Sequence, residues 1–159
     1  MAVTSSAENT ITVRRGCLID LHDIMVIERA AFGRHALDPS TLFWLLLRRW
    51  PGFLVAEASG KIVGYIITRI PIWPLWNRVG GITSLAVKPE RMRQGVGRSL
   101  MLAALKFLRE SHVVSVDLEV SLKNIPAITL YKSLGFTSGK LLPNYYAAGD
   151  DGMKMTMSL

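Results

Sequence analysis

The sequence is poor in cysteine, with Cys17 alone among 159 residues. A single cysteine excludes an internal disulfide and a cysteine-based zinc site, and the three histidines show no metal-ligand spacing. Long apolar runs are also missing: the longest, Leu42 to Leu47, has six residues, whereas a membrane-spanning helix needs about 20. The first ten residues have neither the basic start nor the apolar stretch of a signal peptide. These absences predict a cytoplasmic protein that requires neither a metal nor a membrane.

Acidic residues are scarce, since 12 Asp and Glu stand against 19 Lys and Arg and leave a net charge of +7. This excess favours anionic partners, which include nucleic acid, a membrane surface and a phosphorylated small molecule. Six basic residues and one acidic residue lie between Lys88 and Arg109, where charge alone favours a solvated helix face. A basic nucleic-acid-binding module is an alternative that predicts salt-dependent affinity. The chain lacks the basic stripe interleaved with aromatics that such modules carry.

The length and residue pattern of the chain predict one α/β domain at 11–159 after a disordered tail at 1–10. Apolar periodicity and turn residues predict the order β-α-α-β-β-β-α-β-α-β-β, with a mixed central sheet flanked by helices. The βαβ stretch in the middle implies that the strands starting at Gly81 and Val113 pair in parallel. The predicted strands are Ile11–Arg15, Phe53–Ala58, Lys61–Ile70, Gly81–Lys88, Val113–Ser121, Phe136–Leu141 and Met153–Ser158; the predicted helices are Leu18–Phe32, one from Pro39 to before Pro51, Val96–His112, and one that Asn124 caps and that runs to Leu134.

Short local patterns predict how these elements start, end and face. Ser59-Gly60 predicts a hairpin between the second and third strands, Asp38 is the predicted N-cap of the second helix, and Gly135 is the predicted end of the fourth. Alternation in the strand from Val113 predicts two faces, one with Val114, Val116, Leu118 and Val120 and the other with Ser115, Asp117, Glu119 and Ser121.

A glycine turn lies between the strand that ends in L-A-V-K-P and the strongest predicted helix. Its sequence, Arg93 to Arg98, is R-Q-G-V-G-R. Glycines let the backbone turn tightly, and the free N–H groups of the following helix form an anion site with the helix dipole. Two arginines add phosphate-binding side chains, so the turn fits a pyrophosphate. It is neither a Walker loop, which needs G-K-[ST], nor a dinucleotide fingerprint, which needs a third glycine.

This turn resembles that of the GNAT acyl-CoA-dependent N-acetyltransferases, whose pattern is [Q/R]-x-x-G-x-[G/A]. Here the window starts at Met92, which departs from the pattern at its first position. The resemblance extends from about Phe53 to the C-terminus. The segment L-E-V-S-L-K-N-I-P-A-I-T-L-Y-K-S-L-G-F and the segment N-Y-Y-A-A-G-D-D-G are similar to motifs of the archaeal and eukaryotic protein N-terminal acetyltransferases and of bacterial RimI. Two further departures are Ser121, where the family has arginine, and Gly81, where archaeal members carry a histidine.

The resemblance implies direct transfer of the acetyl group of acetyl-CoA to the α-amino group of a protein or peptide N-terminus, in a ternary complex. It implies acetyl-CoA as co-substrate and protein N-termini as partners, with ribosomal proteins and nascent chains among the candidates, and it requires no nucleic acid. The same fold acting on lysine or a small amine is the first alternative, which an acidic acceptor site would favour. A catalytically silent CoA sensor is another, and it would not need Tyr131.

The resemblance also implies roles for individual residues. The backbone of the turn would hold the pyrophosphate, and main-chain groups of the preceding strand would bind the pantetheine arm. The implied cofactor-binding residues are Leu85, Ala86, Val87, Arg93, Gln94, Gly95, Val96, Gly97, Arg98, Asn124 and Tyr131. From spacing alone, the strand residues are ordinary core and Asn124 is a helix cap.

The same resemblance assigns catalysis and acceptor binding to a few side chains. Tyr131 would protonate the leaving thiolate, although its helical spacing alone favours a core aromatic. Glu119 would be the general base, although the pattern equally allows a solvent-facing carboxylate. Phe32, Tyr145 and Tyr146 would line the peptide groove, whereas hairpin packing alone explains the two tyrosines. The role of the loop that carries Trp73 and Trp76 stays open.

Overall fold

The computed structural model describes residues 10–71 and 78–159. The elements follow the predicted order, and the chain forms one α/β domain with a mixed seven-stranded sheet. Residues 1–9 of the predicted tail and the Trp73 and Trp76 loop lie outside the described residues. The strands are β1 (Thr12–Arg15), β2 (Phe53–Ala58), β3 (Lys61–Arg69), β4 (Arg78–Val87), β5 (Val113–Ser121), β6 (Thr137–Ala147) and β7 (Asp150–Ser158); the helices are α1 (Leu21–Phe32), α2 (Pro39–Leu47), α3 (Val96–Glu110) and α4 (Ile125–Ser133).

The sheet has the strand order β1-β2-β3-β4-β5-β7-β6. β4 and β5 pair in parallel, with Gly81 opposite Asp117, which confirms the predicted parallel pair. β2 and β3 form the predicted antiparallel hairpin, whose two turn residues, Ser59 and Gly60, have φ values of 50° and 72°. Positive φ at both central residues is the signature of a turn that matches the twist of a hairpin.

Residue contacts divide the domain into two compact units, which are described separately. The first contains β1, α1, α2, β2, β3 as far as Ile67, and Ser84–Ala104. Its core combines apolar side chains that recur at helical spacing on α1 and α2 with strand residues of β2 and β3. As predicted, Asp38 caps α2 by accepting the Ser40 N–H at 2.9 Å, and Pro39 occupies the first turn. The core residues are Ile24, Ile27, Leu42, Leu46, Phe53, Val55, Ile62, Tyr65, Ile67 and Ala86.

A buried carboxylate network explains why α1 starts at Leu21 and not at the predicted Leu18. Asp20 accepts the Cys17 N–H at 2.9 Å and two hydrogen bonds from Arg14, at 2.8 and 2.9 Å. These bonds hold residues 18–20 in a short 3₁₀ turn before the α-helix. Arg14 also contacts Glu57 on β2 at 3.0 Å. Burial alone would raise the pKa of Asp20, but the bonds from Arg14 and Cys17 outweigh it and lower the pKa.

The second unit contains the end of β3, the first part of β4, and the chain from Leu105 to Leu159. α4 packs Tyr131 against Phe136, with ring centroids 5.9 Å apart, and Gly135 ends the helix at a φ of 101° as predicted. Three alternate residues of β5 are buried. The buried apolar residues of the unit include Leu105, Leu108, Val116, Leu118, Val120 and Met155.

Several predicted boundaries were wrong. α3 ends at Glu110 and not at His112, because His112 has a φ of 58° and cannot continue the helix. β4 begins at Arg78, three residues before the predicted start. β6 runs to Ala147 and β7 starts at Asp150, so this hairpin is longer than predicted. β6 is an edge strand with most side chains exposed, and therefore shows no apolar alternation that a sequence pattern could reveal.

Burial departs from the predicted alternation of β5 at two positions. Val114 shares its predicted face with the buried Val116, Leu118 and Val120, but it is exposed. Asp117 belongs to the predicted polar face, yet it is buried, because two cationic side chains pair with it.

The described residues offer neither a membrane-spanning helix nor a metal-binding cluster. None of the helices in these ranges has the length and apolar character needed to cross a membrane. The same residues contain no group of three or more His, Cys, Asp or Glu side chains positioned to hold a metal ion.

Candidate functional site

The glycine turn lies in the first unit, where it leads from β4 into α3. Arg93 and Gly95 have φ values of 57° and 84°, which place both in the left-handed region that favours glycine. A Cβ atom on Gly95 would meet no other atom within 4 Å, so open space adjoins the backbone there. The first helical hydrogen bond runs from Ser99 N–H to the Gly95 carbonyl at 2.9 Å. The N–H groups earlier in this turn have no acceptor inside the helix.

These features fit a phosphate group. The 15 residues of α3 give the turn a full helix dipole, and Arg93 and Arg98 are exposed beside it. The side chain of Gln94 is directed elsewhere, since its amide donates to the Glu90 carbonyl at 2.9 Å and holds the preceding turn. Gln94 is therefore a candidate ligand through its main chain only. Val96 is buried and anchors the start of α3.

The end of β4 approaches β3 closely. A Cβ on Gly64 would lie 2.9 Å from the Ala86 carbonyl oxygen, so the absent side chain permits the close approach. Ala86 is buried, whereas Leu85 and Val87 are half-buried. The Lys88 N–H donates to the Val63 carbonyl at 2.8 Å and ends the strand. This segment can supply main-chain groups to a ligand whatever its side chains are.

The α1–α2 loop, also in the first unit, is held from inside by Glu28. Its Oε1 accepts the Leu37 N–H at 2.6 Å, while its buried Oε2 has no hydrogen-bond partner. Burial raises the pKa of Glu28, although the Leu37 bond opposes the rise. A cavity of about 270 Å³ lies under this loop. Phe32, the predicted groove residue, is at the end of α1 and is exposed, but it does not line this cavity.

The predicted acid and base both lie in the second unit. Tyr131 is on α4 with 7% of its surface exposed, and burial raises its pKa to about 12. The phenol therefore keeps its proton throughout the neutral range and can donate it. Glu119 is half-buried on β5, directly opposite Lys154 of β7. Asn124 caps α4 by accepting the Ala127 N–H at 3.2 Å, which confirms its predicted capping role.

The two predicted groove tyrosines form a pair on β6. Their ring centroids are 5.0 Å apart with planes at 83°, and 52% of Tyr145 is exposed. The pKa of Tyr146 is raised to about 12, first by burial and then by its charged and phenolic neighbours Tyr145, Glu119, Tyr131 and Asp150. Tyr146 thus lies within electrostatic reach of both Glu119 and Tyr131 in the second unit.

Hydrogen bonds connect the tyrosine hairpin, which is formed by β6 and β7, to the turn between β5 and α4. Ser121 Oγ donates to Asp150 Oδ1 at 2.6 Å, and Leu122 N–H donates to the Asp151 carbonyl at 2.9 Å. The Asn144 N–H donates to Asp151 Oδ1 at 2.8 Å. Sequence reasoning noticed that Ser121 departs from the family pattern but missed its partner Asp150.

A charged cluster that sequence reasoning missed lies over Gly81. Asp117 Oδ1 contacts Arg69 Nη2 at 2.6 Å, and Asp117 Oδ2 contacts Lys154 Nζ at 2.8 Å. A Cβ on Gly81 would collide with the Arg69 guanidinium and lie 2.9 Å from Asp117 Oδ1. The place where the resemblance puts a histidine in archaeal members is therefore filled by an ion pair.

Comparison with known proteins gives consistent matches. The model of the acetyltransferase (GNAT) family matches residues 19–136. The N-alpha-acetyltransferase of Sulfurisphaera tokodaii is 36% identical over an alignment of 157 positions that covers 92% of each chain. The crystal structure of Ard1 from Thermoplasma volcanium matches with a TM-score of 0.81 at 31% identity, covering 94% of this chain and 97% of that one. The ribosomal-protein-S18-alanine N-acetyltransferase of Escherichia coli matches with a TM-score of 0.77 at 25% identity, covering 94% of both chains.

The family match and the geometry agree in their details. The matched residues include the glycine turn, the β4 segment before it, Glu119 and Tyr131. The family model matches more than half of the chain, and a relative that is 36% identical covers 92% of it, so the chain belongs to the acetyltransferase (GNAT) family.

Proposed function

We propose that this protein transfers the acetyl group of acetyl-CoA directly to the α-amino group of a protein or peptide N-terminus. The observation that carries the proposal is the position of Tyr146 within electrostatic reach of both Glu119 and Tyr131. An aromatic pair suited to an extended peptide thus adjoins a proton acceptor and a proton donor. The relatives named as N-alpha-acetyltransferase and ribosomal-protein-alanine N-acetyltransferase support an N-terminal amine as the acceptor.

The glycine turn would hold the pyrophosphate of acetyl-CoA, which supplies an activated acetyl thioester. Main-chain N–H groups from Gly95 to Arg98 point at the anion, and Arg93 and Arg98 compensate its charge. Leu85, Ala86 and Val87 offer main-chain groups to the pantetheine arm. One of their N–H groups would stabilise the carbonyl oxygen of the acetyl group as negative charge develops on it. Asn124 would add a polar contact from the start of α4.

Tyr131 acts in this proposal as the general acid. Loss of the acetyl group leaves a thiolate, and the Tyr131 hydroxyl donates its proton to the sulfur. The raised pKa, about 12, keeps that proton on the phenol until the thiolate forms. The neighbouring Phe136 ring, 5.9 Å away, fixes the orientation of the side chain.

Glu119 acts as the general base, directly or through one water. An α-amine has a pKa of about 7.7–8.0, so much of it is already neutral near pH 7.5. A lysine amine, with a pKa of about 10.4, is about 99.9% protonated there and demands a far stronger base. A site with one carboxylate base is therefore better matched to an N-terminus. Phe32, Tyr145 and Tyr146 would contact the peptide.

Acetylation of lysine or a small amine is the second candidate, and Asp150 is the observation that favours it. Asp150 and Glu119 both lie near Tyr146, which makes part of the site acidic. The Asp150 carboxylate is engaged with Ser121, however, and the exposed Tyr145 provides surface for a peptide. Protein N-termini, including those of ribosomal proteins and nascent chains, therefore remain the proposed partners. A single cysteine without a disulfide partner supports a cytoplasmic location.

The test incubates the protein with acetyl-CoA and a library of free-amine peptides, and locates the added acetyl by mass spectrometry. We expect acetylation at the N-terminus and none on internal lysines. Each peptide is matched with an N-terminally blocked copy that carries the same lysine. Preferential labelling of the blocked peptides would overturn the N-terminal assignment and support the second candidate.

A further inference from the structure

The charged cluster over Gly81 has no role in the acetyl transfer described above. Its three members, Arg69, Asp117 and Lys154, come from β3, β5 and β7 and meet within the second unit. Asp117 is almost fully buried, with 8% of its side chain exposed, whereas Arg69 is 54% exposed. The carboxylate therefore anchors the cluster, and the guanidinium is presented to the surface in a fixed position.

The three members of the cluster have two positive charges against one negative charge. Asp117 accepts one cation on each carboxylate oxygen, Arg69 on Oδ1 and Lys154 on Oδ2. Lys154 also lies opposite Glu119 and within reach of its charge, so the nearby Glu119 acts on the lysine end of the cluster. A half-exposed guanidinium held in this way is suited to bind a second carboxylate through its planar donor groups.

The position of the cluster relates it to the reacting amine. Asp117 and Glu119 are two residues apart on β5, so their side chains project from the same face about 6.8 Å apart. Adjacent residues of an extended peptide are about 3.3–3.6 Å apart. A peptide whose amine approaches Glu119 therefore brings its first or second side chain within reach of Arg69.

We propose that Arg69 determines specificity by binding a carboxylate close to the reacting amine, so that the preferred substrates are N-termini with Asp or Glu as the first or second residue. This inference rests on the proposed function, because it takes Glu119 as the base that receives the amine. A free amino acid would present the same pair of groups, an amine and an adjacent carboxylate, and is tested separately. Gly81 contributes to this carboxylate-binding site, since any side chain there would displace the Arg69 guanidinium.

The experiment compares peptides that differ only in charge, with Glu or Gln, and Asp or Asn, at the first and then at the second position. We expect the wild-type kcat/KM to be about 10- to 100-fold higher for the acidic member of a pair, the range for a hydrogen bond to a charged group. The preference should fall as salt is added. In Arg69→Met the two members should come within a few-fold of each other, because the carboxylate of the acidic member loses its partner. Arg109→Met, which removes an exposed arginine of α3 outside the cluster, is the matched control and should retain the preference.

Equal rates for acidic and neutral peptides in the wild type, or a preference that survives Arg69→Met, would overturn the inference. If Arg69→Met does not fold because Asp117 loses a partner, Arg69→Met/Asp117→Asn removes both charges and should abolish the preference in the same way. Acetylation of free glutamate but of no peptide would support the carboxylate site and overturn the peptide acceptor. Acetylation of neutral N-termini without an acidic preference overturns this inference alone and leaves the proposed function standing.

Discussion

The glycine turn of the first unit and the tyrosine region of the second differ in the groups they offer. The turn presents main-chain N–H groups at the start of α3, and its one side-chain amide, on Gln94, holds the turn itself. The tyrosine region presents side chains: the Glu119 carboxylate and the hydroxyls of Tyr131, Tyr145 and Tyr146. The first depends on backbone conformation and open space, and the second on chemical identity. Substitutions in the glycine turn should therefore act by filling space or changing the backbone conformation. Substitutions in the tyrosine region should act by removing a reacting group.

The largest effect on activity is expected for Tyr131→Phe, which tests the tyrosine region. Removing the hydroxyl alone should lower kcat by about 10²–10⁴-fold, the range for a lost general acid, with little change in acetyl-CoA affinity. Steady-state kinetics with saturating peptide, and calorimetry for binding, measure the two quantities. Tyr65→Phe is the control, because Tyr65 is equally buried with its hydroxyl 3.0 Å from Ser84. It should cost stability and leave kcat unchanged; turnover of Tyr131→Phe within a few-fold of wild type would remove the acid from the mechanism.

In the glycine turn, Gly97→Glu should weaken acetyl-CoA binding by about a hundredfold or more. The change adds a side chain and a negative charge at the helix N-terminus, and like charges placed together cost several kcal/mol. Calorimetric titration measures the affinity. Leu85→Met on the preceding strand should alter it little, because only main-chain groups of that segment are used. Unchanged binding by Gly97→Glu would contradict the pyrophosphate assignment.

A smaller effect is expected for Glu119→Gln, about 10- to 100-fold in kcat. The loss stays at or below the usual range for a general base because an α-amine is already partly neutral near pH 7.5. The wild-type rate should rise with pH and level off near the pKa of the amine, about 7.7–8.0. The variant should be slowest relative to wild type at low pH, and added buffer base should recover part of the rate. A pH profile identical to that of wild type would exclude Glu119 as the base.

The smallest effect on activity is expected for Asp20→Asn, which tests a side-chain network of the first unit. The folded-state pKa of Asp20 is lowered, so its bonds to Arg14 stabilise the fold above the unfolded pKa of about 3.9, and this stability is lost as the pH falls through the folded value. At pH 7 the variant should lose about 1–3 kcal/mol of unfolding free energy, and the difference should shrink at pH 3. Urea unfolding at both pH values measures this. Asp38→Asn is the control, since asparagine caps a helix as well as aspartate does. A large fall in kcat at pH 7 would show that this unit also acts through side-chain chemistry.

Features set by neighbouring residues were predictable from sequence. The Ser59–Gly60 hairpin, the start of α2 at Asp38 and the glycine turn each depend on a few adjacent residues with special conformations. Contacts between distant positions were not predictable. The burial of Asp117 could not be predicted, because nothing near it in sequence identifies Arg69, 48 residues away, as its partner. The Ser121–Asp150 bond joins positions 29 residues apart and was missed for the same reason.

The ion pair over Gly81 affects the order in which substitutions at positions 69, 81 and 117 can be tolerated. A histidine introduced at position 81 meets the Arg69 guanidinium and the Asp117 carboxylate at once, so that single step costs stability before any new chemistry is available. Loss of the arginine first leaves a buried carboxylate with one cation fewer, which is also unfavourable. Neutralising Asp117 first removes the partner that holds the guanidinium over Gly81, so the arginine can move away when a larger side chain enters. Gly81→His should therefore lower the free energy of unfolding less in an Asp117→Asn background than in the wild type, and urea unfolding of the single and double variants measures this difference.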